Sequence, residues 1–102
     1  MKIYVDIDDT ICFYSDSSKI EYSKAIPNKS NIDKINKLYN DNNHIIYWTA
    51  RGTVFRERIE EYEILTKRQF EEWGVLYHEL IVGQKPAYDL LICDKTKRIE
   101  EI

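Results

Sequence analysis

The stretch "KIYVDIDDT", Lys2 to Thr10, decides how the rest of the chain is read. Lys2 to Val5 and the Ile7 beyond them are mostly β-branched or aromatic, the composition of a buried strand. Three carboxylates, Asp6, Asp8 and Asp9, then crowd together directly before Thr10. Like charges repel, and an acid at a strand end gives up part of its hydration, so this cluster calls for a counter-charge or a ligand.

Working outward, "CFYSDSSKIEYSKAI", Cys12 to Ile26, is irregular and polar and reads as a loop or small hairpin closed by Pro27. Ser30 is placed to cap a helix whose Ile32, Ile35, Leu38 and Tyr39 share one face and which ends at the turn cluster "NDNN". "HIIYWTAR" supplies a second strand, Ile45 to Trp48, stopping at Thr49. A helix over Phe55 to Trp73 keeps Ile59, Tyr62, Phe70 and Trp73 in phase and stops at Gly74. "ELIVG" is a third strand, and "DLLIC", Asp89 to Cys93, is expected as a fourth, ending at Asp94–Lys95. Strands alternating with helices predict an α/β domain over residues 1–102, a parallel sheet with helices on both faces.

In such sheets ligands bind beyond the carboxyl ends of the strands. Asp6, Asp8 and Asp9 follow the first strand, Thr49 and Arg51 the second, and Asp94 the fourth, with Lys85 in the loop between the third and fourth. One sheet edge thus collects nearly all the reactive side chains.

Bulk properties narrow the classes. A length of 102 residues leaves room for one core. Fifteen basic against eighteen acidic residues give a net charge of −3, which argues against a general nucleic-acid binder. Cys12 and Cys93 match no zinc spacing and read as free thiols of a cytoplasmic protein. The N-terminal run meets aspartate too soon for a signal peptide or a membrane span.

Several anion and cation motifs fail. A calcium loop counted from Asp6 wants glycine where Ile11 stands and glutamate where Ser17 stands. No glycine–lysine phosphate loop is present. A receiver domain would need an acceptor aspartate after its third strand, where this chain has "VGQKP". Phosphoryl transfer through an aspartyl-phosphate uses every piece. Asp6 would be the nucleophile, Asp8 the acid and then the base, Thr49 a hydrogen-bond donor to the phosphoryl group, and Lys85 a neutraliser of transition-state charge. Asp94 would complete a magnesium site with Asp6.

The four segments "DIDDT", "IIYWT", "GQKP" and "ICDK" resemble, in order, the four motifs of the haloacid dehalogenase superfamily of phosphatases. "IDKINKLYNDNNHIIYWTARG" and "WGVLYHELIVGQKPAYD" are similar to its small capless members of the capsule-biosynthesis type. The resemblance implies a Rossmann-like core without a cap domain, Mg2+, and hydrolysis of a small phosphomonoester such as a sugar phosphate. It implies Asp6, Asp8 (through its carbonyl) and Asp94 as metal ligands, and Thr10, Thr49, Arg51 and Lys85 around the substrate. Polynucleotide 3′-phosphatases share the Thr-x-Arg signature, which gives Arg51 a role as substrate contact and that activity as an alternative. A degenerate domain that binds without turnover is another. The chain departs from the pattern at Cys93, where the group carries a first aspartate, and at Gln84, an extra residue before the lysine. A capless site is open, and suits help from a neighbouring subunit in a homo-oligomer.

Overall fold

Ile3 and Val5 alternate with Lys2 and Tyr4 along the first strand, β1 (Lys2–Val5), so one face is apolar and the other mixed. The computed structural model describes residues 1–16, 18 and 20–102. After β1 come β2 (Cys12–Phe13), β3 (Ile26–Pro27), α1 (Lys29–Asn40), β4 (His44–Thr49), α2 (Ile59–Trp73) and β5 (Glu79–Val82). The main sheet is parallel with order β1-β4-β5, and Val5 lies beside Tyr47, with Thr49 beside Val82. β2 and β3 pair antiparallel, Cys12 with Pro27 and Phe13 with Ile26, which makes the expected small hairpin.

The two helices share one face of this sheet, where the sequence led us to expect one on each. Both crossovers, β1 to β4 and β4 to β5, step in the same direction, and right-handed connections then fall on the same side. Ile32 and Ile35 of α1 and Phe70 and Trp73 of α2 accordingly meet Val5, Ile45 and Tyr47 in a single cluster. On the other face Tyr4 is half exposed and sits edge-on to Trp48 at 5.7 Å. Tyr47 is fully buried beside Phe70 and Tyr77, and its hydroxyl has no partner among the described residues.

Asn28, and not Ser30, caps α1: its side chain accepts from the Asn31 N–H at 3.1 Å. A short 3-10 turn, Arg56–Arg58, precedes α2, and Glu60 and Glu61 sit in the first turn of that helix, where the macrodipole favours acids. The turns after β4 and β5 pack tightly on Ile59: a Cβ added at Gly52 or Gly83 would come within 3.2 and 3.0 Å of its side chain. Both glycines also hold positive φ, so neither position accepts a side chain without strain. This contact fixes the strand ends against the start of α2.

The expected fourth strand is absent. Among the described residues no strand follows β5, and Leu90 and Ile92 of residues 89–93 are 75% and 88% exposed. The chain returns to the fold at Ile99, whose carbonyl accepts from Lys34 Nζ at 3.3 Å. No helix among the described residues is long and apolar enough to cross a membrane.

Candidate active site

At the carboxyl end of β1 the backbone turns sharply: the N–H groups of Thr10 and Ile11 both donate to the Ile7 carbonyl, and Asp9 takes a positive φ that aspartate tolerates. This turn aims Asp6 and Asp8 at different partners. Asp6 Oδ1 accepts from its neighbour's N–H, that of Ile7, at 2.9 Å, and from Lys85 Nζ at 3.0 Å. Asp6 Oδ2 has no partner among the described residues, and the side chain is 43% exposed. Lys85 is buried, with Nζ 5.6 Å from the Trp48 ring centre and 5.2 Å from that of Tyr88. The extra residue at Gln84 does not prevent this lysine from reaching the first strand. Thr53 helps hold it, donating its hydroxyl to the Lys85 carbonyl at 2.7 Å.

Asp8 is gripped from the other side. Arg51 meets it with two parallel bonds, Nε to Oδ2 at 3.1 Å and an Nη to Oδ1 at 2.8 Å. Tyr14 donates its hydroxyl to Oδ1, and the Cys12 thiol lies 3.5 Å from the same oxygen. The remaining Arg51 donors reach Thr66 Oγ1 at 2.9 Å, Gln69 Oε1 at 2.7 Å and the Tyr14 hydroxyl at 3.4 Å. All five N–H groups of the guanidinium thus have acceptors, which is what a side chain with 0% exposure requires.

The electrostatics follow. Burial alone would lower the pKa of Arg51, but the hydrogen bonds and charge of Asp8 reverse that and the net shift is upward. Burial, then the Asp8 carboxylate, push the Cys12 thiol up to about 12. Burial and the hydrogen bond to Asp8 also raise Tyr14.

Of the residues picked out from the sequence, the fold gathers Asp6 with Lys85 and Asp8 with Arg51. Thr49 ends β4, fully buried, its Oγ1 accepting from the Arg51 N–H at 3.1 Å. Thr10 lies half-buried in the turn, its carbonyl accepting from Asn31 Nδ2 at 2.9 Å. Arg51, expected to touch substrate, is instead an internal clamp with no donor to spare. Asp94 is not brought to the others: it is exposed, and among the described residues its one side-chain hydrogen-bond partner is the Cys93 thiol at 3.8 Å. No three His, Cys, Asp or Glu side chains among the described residues are grouped to hold a metal. Asp94 therefore does not stand with Asp6 and Asp8 in this arrangement.

Sequence reading missed Tyr14, Thr66 and Gln69. The last two carried a signal, since both are polar residues in phase with the buried Tyr62, Phe70 and Trp73 of α2. At the opposite end of the sheet His44 pairs with Glu79 at 2.6 Å and stacks on His78, whose ring in turn stacks on Tyr39. That group lies far along the strands from the acids and closes the N-terminal edge of β4 and β5.

No family model matches the chain, and no curated protein does. A solved structure is similar: the crystal structure of an MCSG target from Vibrio cholerae, 22% identical, with a TM-score of 0.79 over 98% of this chain and 85% of that one. The likeness shows the fold alone.

Proposed function

We propose that the chain is a phosphomonoester hydrolase that works through an aspartyl-phosphate on Asp6, acting on a small phosphorylated metabolite such as a sugar phosphate. The observation that carries this reading is the state of Asp6: one oxygen is held by Lys85 and the Ile7 N–H, and the other, at the carboxyl end of a parallel sheet, has no partner among the described residues. A nucleophile needs that combination of fixed position and an open lone pair.

In the first step, which Asp8 enters protonated, Asp6 Oδ2 bonds to phosphorus as the ester P–O bond breaks, and the leaving oxygen takes the Asp8 proton. Water then attacks phosphorus, gives its proton to Asp8, and releases inorganic phosphate and free Asp6. Lys85 offsets charge on the transferring group. Arg51 and Tyr14 hold Asp8 in place for both steps. Magnesium belongs to this reading as the cofactor the sequence resemblance implies, and it is tested together with turnover. The 3′-phosphatase alternative loses its main support, because the arginine that suggested it has no free donor.

The test is hydrolysis of an aryl phosphate and of glucose 6-phosphate, each with Mg2+ and with EDTA. Turnover should depend on the metal, and Asp6→Asn should abolish it for both esters, because an amide forms no acyl phosphate. Turnover by Asp6→Asn within a few-fold of the parent rules out Asp6. A second reading, a domain that binds phosphate esters without hydrolysing them, is favoured by the exposed position of Asp94. Binding without hydrolysis of any ester selects it.

A further inference from the structure

A cavity of about 560 Å3 lies between residues 20–23 and the loop that follows Arg51. It reaches Ala50 and Gly52 on either side of Arg51, and its wall includes Tyr22, whose ring centre is 4.8 Å from the Arg51 guanidinium. That guanidinium holds Asp8, the residue assigned to the leaving oxygen. The cavity wall is thus separated by one residue, Arg51, from the carboxylate assigned to the leaving oxygen.

Its lining mixes exposed apolar side chains with the polar groups of Glu21, Ser23 and Arg58. Ile20, Val54 and Phe55 are 54%, 73% and 54% exposed, and all three line this one cavity. Tyr22 and Tyr62 stand edge-on behind them, ring centres 5.4 Å apart. Exposed apolar groups gathered round a hollow next to reactive side chains mark a ligand surface. The charges on the rim are already matched: Arg58 binds Glu61 at 2.7 Å and lies over the Tyr62 ring, and Glu21 pairs with Lys24 at 3.4 Å. The volume falls within the roughly 300–1,000 Å3 of small-molecule sites.

We propose that this cavity takes a flat, uncharged aromatic ring carried by the leaving group of the ester. The proposal rests on the phosphatase reading for where the phosphate sits, and it narrows the metabolite from a sugar phosphate to a ring-bearing phosphomonoester.

Esters of equal leaving-group basicity isolate the ring from the chemistry. Adenosine 5′-monophosphate, 2-phenylethyl phosphate, glucose 6-phosphate and glycerol 3-phosphate are all primary alkyl esters. At least one ring-bearing ester should exceed both ringless ones in kcat/KM by about 10-fold or more, and Phe55→Ala should bring that ratio close to one. Binding is measured separately by ligand-observed NMR, using the phosphate-free alcohols adenosine and 2-phenylethanol against glucose. Binding of either aromatic alcohol, weakened by Phe55→Ala, supports the proposal even if no ester is hydrolysed, in which case the catalytic reading alone falls. Preference for adenosine identifies a nucleobase, and preference for phenylethanol a simple aryl group. Failure of both alcohols to bind, or a kcat/KM for glucose 6-phosphate at or above those of the ring-bearing esters, overturns the proposal while leaving the phosphatase reading intact.

Discussion

Arg51 and the run from Asp89 to Arg98 show two opposite treatments of difficult side chains. Arg51 carries a full charge into a place with no solvent, and the fold answers every one of its donors with an acceptor from β1's turn, the hairpin region or α2. In the later run Leu90, Leu91 and Ile92 stay in water, and Asp94, Lys95, Lys97 and Arg98 are all exposed. The first region is over-determined: Asp8 cannot shift without breaking contacts to Arg51, Tyr14 and Cys12. The second is held at its ends, by Lys85 on one side and Ile99 on the other. Position at this site comes from satisfied polar groups more than from apolar burial, because a buried guanidinium tolerates only one arrangement of its partners.

The two cysteines read this contrast most directly, one in each region. Cys12 is 2% exposed, and burial with the neighbouring Asp8 carboxylate pushes its pKa up to about 12, so the thiol stays protonated at pH 8. Cys93 is exposed. The thiolate is the reactive form, so iodoacetamide at pH 8 should modify Cys93 at least ~10³-fold faster, as followed by mass spectrometry of peptides. Comparable rates would mean that the Asp8 cluster opens as readily as the exposed run, and the contrast would break.

Arg51→Met removes the clamp while keeping much of the apolar stem. It strands Asp8, Thr66 and Gln69, and loss of one partner of a buried pair costs on the order of 3 kcal/mol, close to a hundredfold in the folding equilibrium. Asp8 keeps some contact with water, at 22% side-chain exposure, so the loss should sit at the lower end of what such pairs show. Urea unfolding measures it. Arg51→Lys should recover little, since one ammonium cannot reproduce a five-donor fork.

Much of the contrast was legible beforehand, and the part that was not has a physical cause. Asp6, Asp8, Thr49 and Lys85 announced themselves because reactive groups at the ends of parallel strands converge whatever their sequence separation. Arg51 was found but misjudged: its type and position are the same for a substrate contact and for an internal clamp, and only Thr66 and Gln69, fifteen and eighteen residues on, tell them apart. "DLLIC" has the composition of a strand, yet a strand exists only with a partner, and nothing local specifies one. The shared face of the helices follows from strand order, which periodicity does not encode.

Asp94 gives the smallest expected effect and the sharpest question about the second region. It is exposed, and among the described residues it bonds to nothing beyond its neighbour and joins no group of three metal-ligating side chains. Asp94→Ala should therefore change kcat/KM, the Mg2+ concentration for half-activity and the Mg2+-induced shift in melting temperature by less than about twofold. Even an outer partner of a working metal site typically loses ~10–100-fold in affinity or activity on removal. The Mg2+-dependent melting shift needs no turnover, so it reads the metal site even in an inactive protein. A loss of tenfold or more in Asp94→Ala, with Asp9→Ala unchanged, would show that residues 89–94 join the strand ends in solution. Asp94 would then stand with Asp6 as the sequence pattern suggested, and the second region would be as firmly tied to the site as the first.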